Sequence, residues 1–276
     1  MQEIETGDFA PRRWVLWPPS SIRVVDWNID RGLQLQGIIE FLAKAEADVI
    51  FLQEADVNAR RTHHLNIAKE IAQNLQMNYI FGLEFQELTQ GSRQSPAYHG
   101  QATLSRWPLS NPRLIRFRRQ SNFWRPHWFL PRMEPFQERI GGRIALVSDV
   151  SIGNRTLVTY NLHLESRGES DLRRSQLDEV LDDSRRYTSD LPRVVAGDMN
   201  FDISADGAAE AIGRAQFRNP FAEGTRRTTV PRSLFHRGHA IDWILARGPV
   251  HASQPKIHSY VSASDHYPVS VTLTFE

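Results

Sequence analysis

Several apolar segments of this 276-residue chain end abruptly at polar side chains, which limits the folds that can accommodate them. The segment PRVVAGDMN (192–200) runs through two valines and Gly197 into Asp198 and Asn200. These two polar residues have the same parity, so at the end of a strand their side chains point to one side. Gly197 lacks a Cβ and leaves room for a ligand near the backbone. Taken alone, Gly-Asp-x-Asn also has a second interpretation as a turn.

The segment DVIFLQ (48–53) is continuously apolar and ends at Glu54. Such strands are typical of a sheet that is covered on both faces. Apolar residues at helical spacing predict helices between these strands, near 35–42, 65–75, 170–187 and 205–213. A turn signal at Gly153-Asn154 predicts a hairpin of 143–150 with 156–162. These elements together favour an α/β fold.

Residues 1–20 are polar and rich in proline, which predicts an irregular lead-in. We predict a single domain over 21–276, because the strands are evenly spread and no flexible linker divides them. It contains a basic and aromatic insertion at about 106–138, with seven arginines and no acidic residue from Arg106 to Arg132. Four prolines interrupt the stretch from Arg106 to Arg132, so we expect much of it to be loop.

Composition removes several classes of function. The chain has no cysteine, so disulfides, thiolate metal sites and a cysteine nucleophile are excluded. No apolar run approaches the roughly 18 residues that span a bilayer, so no stable membrane insertion is expected. The N-terminal segment has no apolar h-region, which makes a cytoplasmic location the expectation for the chain as given. A leader peptide removed beforehand would leave no trace.

Nine polar residues lie at or just beyond predicted strand ends. Strand ends in an α/β sheet converge on ligands, so we expect these side chains to form one site. The oxygen-rich set suits Mg²⁺ or Mn²⁺, whereas Zn²⁺ would favour more nitrogen ligands. Crowded carboxylates need a compensating cation, and together with imidazoles they indicate hydrolysis at phosphorus. The nine residues are Asn28, Asp30, Glu54, His163, Asp198, Asn200, Asp242, Asp265 and His266.

Each of these residues also has a purely structural interpretation. Asn28 and Asp30 could cap a helix that begins near residue 33. Glu54 could be a surface charge at a strand end, as we expect for Glu84, and Asp242 could be a buried hydrogen-bond acceptor. The histidines could be core residues with satisfied hydrogen bonds.

Six motifs in order resemble the endonuclease/exonuclease/phosphatase superfamily. They extend over nearly the whole chain from Ile22, and GQATLSRWPL (100–109) also looks like the central strand and turn of that family. The resemblance implies a four-layered α/β sandwich, with two mixed sheets packed face to face, helices outside and the active site at one sheet edge. The motifs are WNID (27–30), LQE (52–54), HLES (163–166), GDMN (197–200), IDWIL (241–245) and SDHYP (264–268).

The resemblance also implies a metal side of the site. Glu54 corresponds to the principal Mg²⁺ ligand of the family, with Asn28 and Asp30 beside it. Asp265 corresponds to a further carboxylate on the metal side.

The remaining matched positions imply catalytic roles. Asp198 would orient or deprotonate the attacking water, and Asn200 would hold that water or a phosphate oxygen. His266 would donate to the scissile phosphate, with its tautomer fixed by Asp242. His163 would contact the phosphate from the opposite side and assist the leaving oxygen. A histidine there resembles the deoxyribonuclease I, sphingomyelinase and tyrosyl-DNA phosphodiesterase branches more than the abasic-site endonucleases, which carry an amide.

The basic and aromatic insertion bears on the substrate. Arginines bind phosphates and aromatic rings stack on unpaired bases, so the mixture favours nucleic acid. One alternative is a subsidiary core of aromatics with solvated arginines. Another is a membrane-contacting flap in which Trp124, Trp128 and Phe129 enter a lipid interface. The substrate-binding residues that we predict are Arg118, Arg119, Trp124, Arg125, Arg143 and Arg237.

The predicted function is therefore Mg²⁺-dependent hydrolysis of phosphodiester bonds in nucleic acid, with DNA as the expected partner and a monomer as the expected state. Mn²⁺ is the alternative metal. The segment HLESRGESDLRRSQL (163–177) is similar to 5′-tyrosyl-DNA phosphodiesterases, which supports DNA. The alternative is a sphingomyelinase-like or small-molecule phosphoesterase that uses the same site.

Overall fold

Two mixed β-sheets lie face to face at the centre of the computed structural model of this chain. The structure describes residues 2–11, 18–133, 136–204, 207–221, 227–231 and 238–276. Its helices are α1 (Leu35–Ala45), α2 (Ile67–Leu75), α3 (Ser170–Ser184) and α4 (Ala208–Arg214). Its strands are β1 (Ile4–Gly7), β2 (Ser21–Arg31), β3 (Val49–Val57), β4 (Asn78–Glu87), β5 (Ala97–Ser105), β6 (Leu109–Arg116), β7 (Arg139–Gly141), β8 (Ile144–Ile152), β9 (Arg155–His163), β10 (Arg193–Asp198), β11 (Asp242–Arg247), β12 (Val250–Ile257) and β13 (Val269–Phe275).

The first sheet has the strand order β1-β4-β5-β3-β2-β13-β12, with β7 beside β4. The second sheet has the order β11-β10-β9-β8-β6. Each sheet has one parallel pair, β2 with β3 and β9 with β10, and its other pairs are antiparallel. The carboxyl ends of both parallel pairs therefore carry the motifs that the sequence singled out.

Strand β2 shows why the interior sequences are continuously apolar. Ile22 and Val24 point into the core between the two sheets. Val25, Trp27 and Ile29 point the other way, into a second core under helices α1 and α2. Alternate side chains of a strand face opposite sides of the sheet. When both faces are covered, neither the odd-numbered nor the even-numbered side chains reach solvent. The predicted covering of both faces is confirmed.

The helices form the two outer layers. Ile38, Phe41 and Leu42 of α1 belong to the core beneath the first sheet. The apolar residues of α3 and α4 belong to the core that includes the second sheet. This arrangement confirms the predicted four-layered α/β sandwich. No helix among the described residues is long and apolar enough to cross a membrane.

Two stretches that were expected to be irregular contain edge strands. Within residues 1–20, Ile4–Gly7 pairs with β4, and Glu5 accepts a hydrogen bond of 2.6 Å from the Tyr79 hydroxyl. Within the insertion, β6 forms one edge of the second sheet and carries Pro112 next to a register shift. An edge strand needs partners on one side only, so it tolerates proline and lacks an apolar alternation.

A polar network crosses the otherwise apolar space between the sheets. The Gln53 side-chain amide donates to Asp26 Oδ1 and to Asn161 Oδ1, both at 2.8 Å. Asn161 donates in turn to the backbone carbonyls of Leu52 and Ala102. The Oδ2 atom of Asp26 has no hydrogen-bond partner among the described residues. Burial, and then the nearby carboxylate of Asp242, raise the pKa of Asp26 well above its usual range.

The replacement Asp26→Asn should therefore stabilise the fold at neutral pH. An aspartate whose pKa is raised on folding contributes full stability below its unfolded pKa of about 3.9 and loses that contribution as pH rises toward the folded pKa. An amide avoids this loss and keeps the acceptor for Gln53. Thermal unfolding at pH 4 and pH 7 should show a gain that grows with pH, at roughly 2–4 °C for each kcal/mol.

The matched control is Asp171→Asn on the surface of α3, whose side chain is 72% exposed. It should show no such growth with pH. An Asp26→Asn protein that melts below the parent at pH 7 would show that the carboxylate is needed in its charged form.

Candidate functional site

The predicted site residues meet where the two sheets present the same edge. His163, Asp198 and Asp242 are direct register partners on three adjacent strands of the second sheet. Asn28 and Glu54 lie on adjacent parallel strands of the first sheet. His266 precedes β13, the other neighbour of β2. Strand register within each sheet, together with the packing of the two sheets, thus brings side chains from six distant segments to one place.

The side-chain amide of Asn28 connects the two sheets at this edge. Its Nδ2 donates to Asp198 Oδ2 at 3.1 Å and to Glu54 Oε1 at 3.4 Å. Its Oδ1 accepts from the backbone N–H of Asp30 at 3.1 Å. Helix α1 starts after Gln34, which makes no side-chain cap, so the capping interpretation of Asn28 and Asp30 is wrong.

Asp198 is the centre of the cluster. Its Oδ1 accepts the backbone N–H of Asn200 at 2.9 Å, which fixes the plane of the carboxylate. Its Oδ2 lies 3.6 Å from Nε2 of His163 and 3.8 Å from Nε2 of His266. The side chain of Asn200 donates to the backbone carbonyl of Leu164, which follows the strand that carries His163. One carboxylate oxygen therefore faces two imidazoles.

His266 is held as a cation by a buried carboxylate. Its Nδ1 lies 2.9 Å from Asp242 Oδ2, and the backbone carbonyl of His266 accepts from the Trp27 indole. Burial alone would lower the pKa of His266, but Asp242 and then Asp198 raise it to about 10. At neutral pH its Nε2 is consequently a hydrogen-bond donor directed at Asp198, and His266 is not a base.

His163 is oriented by a buried arginine. Nη1 of Arg143 lies 2.8 Å from His163 Nδ1 and 2.8 Å from Glu84 Oε1. Because a guanidinium can only donate, Nδ1 accepts, and the neutral imidazole carries its proton on Nε2, toward Asp198 and Glu54. Burial would raise the pKa of Glu84, but the Arg143 guanidinium lowers it to about 2.

Three expectations about the residues around Arg143, behind His163, need correction. Glu84 was expected at the surface, yet it is buried as the partner of Arg143. Arg143 and Trp124 were predicted to bind substrate, yet both lie in the interior behind His163. The Trp124 indole donates to Glu165 at 2.9 Å, and its ring lies 5.9 Å from the Arg143 guanidinium. The indole N–H of Trp124 and the guanidinium of Arg143 both donate to buried carboxylates, so neither group faces solvent.

The metal side contains more carboxylates than cations. Arg31 forms an ion pair with Asp30 and lies 3.8 Å from Glu54 Oε2. Burial, and then Asp265, raise the pKa of Asp30. Burial would also raise the pKa of Glu54, but the neighbouring histidine and arginine side chains hold it well below its usual range. Among the described residues, Asp30 and Glu54 thus share the guanidinium of Arg31, and the oxygen-only donor set fits a hard divalent cation.

Two groups of potential metal ligands already contain a positively charged side chain beside their carboxylates. Among the described residues, two sets of three such side chains have ligand atoms within 4.8 Å of one another. In the first set, Asp198, Asp242 and His266, the imidazole is protonated and cannot ligate. In the second set, arginines compensate the carboxylates, with Arg61 2.7 Å from Asp56 and Arg139 3.1 Å from Glu87. The second set is therefore a structural ion-pair group, whereas the first belongs to the candidate site itself.

Three of the matched residues have an unusual backbone. The φ angles are +41° at Asp30, +59° at Glu54 and +55° at Asn200. Asp30 and Glu54 sit at register shifts in β2 and β3, where one extra residue redirects a side chain. Non-glycine residues adopt this region at a cost of about 1–3 kcal/mol, and they concentrate at functional sites.

The remaining predicted substrate-binding residues are spread more widely. Arg118 Nε lies 3.3 Å from Glu179 on α3 and does not join the cluster. Arg119 and Arg125 are exposed. Arg237 lies outside the described residues. Asp265 is half-buried beside His266, and its backbone carbonyl accepts from Val230.

Removing the partner of His266 should change its titration. In the native protein its imidazole signals should titrate near pH 10 in NMR spectra. In Asp242→Asn the carboxylate charge is lost, so burial lowers the pKa by at least about one unit. The exposed His63 and His64 provide reference signals that this replacement should not move. A native His266 that titrates near 6.5 would contradict the assignment of an imidazolium.

Comparisons with known proteins agree with this geometry. Among solved structures, an endonuclease/exonuclease/phosphatase protein from Beutenbergia cavernae DSM 12333 has 18% identity and a TM-score of 0.67, with 93% of this chain and 72% of that chain covered. A humanized D. rerio TDP2 has 20% identity and a TM-score of 0.65, covering 93% and 100%. A truncated Caenorhabditis elegans TDP2 has 19% identity and a TM-score of 0.61, covering 92% and 98%. At these identities the likeness concerns the fold.

No curated protein sequence matched this chain. The family model described as Endonuclease/Exonuclease/phosphatase family matches residues 27–266, which begin in the β2 motif and end at His266. That range contains every strand end described above. The chain belongs to the endonuclease/exonuclease/phosphatase family.

Proposed function

We propose that this protein is a Mg²⁺-dependent phosphodiesterase that hydrolyses phosphodiester bonds in nucleic acid, with DNA as its substrate. The observation that carries the proposal is the position of Asp198. Its Oδ2 faces Nε2 of both His163 and His266 within 3.8 Å and accepts from Asn28. A carboxylate between two N–H donors suits a reaction in which water loses a proton next to an anionic phosphate.

The chain supplies the groups for in-line attack by water. Asp198 accepts the proton of the attacking water, and the hydrogen bond from Asn200 keeps Oδ2 directed at the substrate. His266 donates from Nε2 to a phosphate oxygen as an imidazolium. His163, with its Nε2 proton fixed by Arg143, donates to the same phosphate from the other strand and assists the leaving oxygen.

The oxygen donors beside this pair of imidazoles would hold the metal. Glu54, Asn28, Asp30 and Asp265 are the residues proposed for Mg²⁺, and the sharing of Arg31 between the carboxylates of Glu54 and Asp30 supports a divalent cation there. When bound, the metal supplies Lewis-acid stabilisation of charge on the phosphate.

Nucleic acid is favoured by the segment next to the site. Trp124 and Glu165 attach the insertion behind His163, and Gln137 donates to the Arg125 carbonyl at 2.8 Å. The loop so anchored carries exposed arginines and Trp128, which is 96% exposed. Arginines beside an exposed aromatic ring suit a phosphate backbone with unpaired bases.

A specific observation favours lipid phosphodiesters as the second candidate. Phe129, Met133 and Phe136 are each at least half exposed near Trp128. The rings of Trp128 and Phe129 are inclined by 86°, so they cannot both stack on consecutive parallel bases. An apolar tip flanked by arginines also suits an anionic membrane interface.

A substrate panel tests the proposal. We expect cleavage of DNA in Mg²⁺, loss of activity in chelator and recovery on adding Mg²⁺ or Mn²⁺. The panel contains single-stranded, duplex, abasic and 5′-tyrosyl DNA, RNA and sphingomyelin vesicles, at two salt concentrations because phosphate contacts weaken with salt. Cleavage of sphingomyelin alone, with vesicle binding lost in Trp128→Ser, would favour the second candidate. Hydrolysis that persists in chelator would contradict the metal requirement.

The replacement Asp198→Asn should lower turnover on every cleaved substrate by about 10²- to 10⁴-fold, because an amide cannot accept the proton of the attacking water. The amide oxygen still accepts from Asn200, but the amide nitrogen then faces the Asn28 donor, so turnover is compared at a temperature at which thermal unfolding shows both proteins folded. The control is Asp202→Asn, an exposed residue four positions later that accepts from Ser204. Native turnover in Asp198→Asn would disprove the assignment of Asp198 as the base.

A further inference from the structure

A cavity of about 460 Å³ lies on the helix-covered face of the first sheet. It opens between the second half of α1 and strands β12 and β13. None of the nine residues of the candidate site lines it. Its β2 residues, Arg23 and Val25, have the opposite parity to Asn28, so the cavity and the side chain of Asn28 lie on opposite faces of that strand.

The sequence of β13 explains why the cavity is not filled. Val269, Val271 and Leu273 point into the core between the sheets. Ser270 and Thr272 have the other parity and present small hydroxyls to the helix layer. Helix α1 ends at Ala45 and does not cover them, so the space above these hydroxyls stays open.

The cavity is lined by an excess of positive charge. Arg23, Lys44 and Lys256 line it together with a single carboxylate, Glu40. The chain has only three lysines, and two of them are in this lining. Neither Lys44 nor Lys256 has a carboxylate within ion-pair distance in the part of the chain that the structure describes. The lining therefore carries a net charge of about +2 at neutral pH, whereas the whole chain carries +1.

Each cation also has a local structural role. Arg23 donates to the Ala45 carbonyl at 2.8 Å at the end of α1, and Lys44 lies in the last turn, where a cation complements the helix dipole. Lys256 lies on an edge strand, where lysine opposes aggregation. These roles do not require three cations around one cavity whose floor is formed by hydroxyls.

The imidazole of His258 lies in the lining of the cavity and is affected by its positive charge. Its Nε2 lies 2.9 Å from Ser270 Oγ, and its side chain is buried against Phe41. Burial, and then the charges of Lys256 and Arg23, lower its pKa to about 4. The imidazole is thus neutral in a positive field that Glu40 does not offset.

We propose that this cavity binds a phosphorylated small molecule of mononucleotide size. Arg23, Lys44 and Lys256 would contact the phosphate together with the hydroxyls of Ser270 and Thr272, since arginine, lysine and hydroxyl side chains are the usual partners of phosphate oxygens. The volume lies in the range of about 300–1,000 Å³ that holds small ligands. Tyr260, which is 73% exposed at the mouth, offers a ring face for a base.

The test is NMR titration of the full chain with adenosine 5′-monophosphate, inorganic phosphate and adenosine. We expect chemical-shift changes at Ser270, Thr272 and His258 with the mononucleotide, smaller affinity for phosphate and none for adenosine. The bound anion should also raise the pKa of His258, because it offsets the charges of Lys256 and Arg23. The absence of these changes at millimolar mononucleotide would overturn the proposal.

Three lysine variants make the test specific. Lys256→Gln and Lys44→Gln should each weaken mononucleotide binding by roughly tenfold, as for the loss of one charged hydrogen bond. Lys69→Gln on α2 removes the remaining lysine, which lies outside the cavity, and should leave binding unchanged. All three should retain hydrolysis of the substrate from the panel. Equal weakening by all three variants would show a nonspecific charge effect and overturn the proposed site.

Discussion

The structure depends on how its buried carboxylates are compensated. Glu84 is paired with Arg143, Asp56 with Arg61, and Asp242 with His266, each at 3.0 Å or less. A buried carboxylate without such a partner is costly in an interior of low dielectric constant. Full compensation therefore marks groups that support the fold. Incomplete compensation at the partly exposed Asp30 and Glu54 suits a ligand, whereas in the closed core it raises the pKa of the carboxyl, as at Asp26.

By this criterion the molecule has two places of interest with opposite sign. Around Glu54, two carboxylates share the guanidinium of Arg31 among the described residues, which suits a divalent cation. Around His258 the cations outnumber Glu40, which suits an anion. The group of Asp56, Glu87 and His99 is not a metal site by the same criterion, because Arg61 and Arg139 already neutralise its carboxylates.

The central part of the fold and the convergence of the polar residues could be predicted from sequence, because both follow from local periodicity. Strand β3 is apolar from Val49 to Leu52, just before Glu54, and β9 and β10 end at His163 and Asp198. Parallel register then places the ends of neighbouring strands side by side, without further information. The strands that escaped prediction, β1, β6, β7 and β12, lie at sheet edges or beside β4. Proline in β6 and β12 gives no strand signal, since an edge needs fewer donors.

The pairing of Trp124 with Glu165 and of Arg143 with Glu84 behind His163 could not be predicted, because tertiary packing decides which side chains meet. Trp124 and Arg143 have the residue types of a nucleic-acid surface, and only their burial shows that they serve Glu165 and Glu84. A pattern of residue types reports what a side chain can bind. It does not report which of several acceptors the fold brings within reach.

The side-chain amide of Asn28 links the two sheets at the candidate site. It bonds Glu54 in the first sheet and Asp198 in the second, so the proposed metal side and the proposed base are held together by one side chain. Their separation is set by the packing of two sheets, which the buried Gln53–Asp26–Asn161 network keeps in register. Sites built on packed strands keep their geometry better than sites on loops. The proposed reacting groups therefore rest on both sheets, whereas the exposed Trp128 lies in a loop whose replacement should not move them.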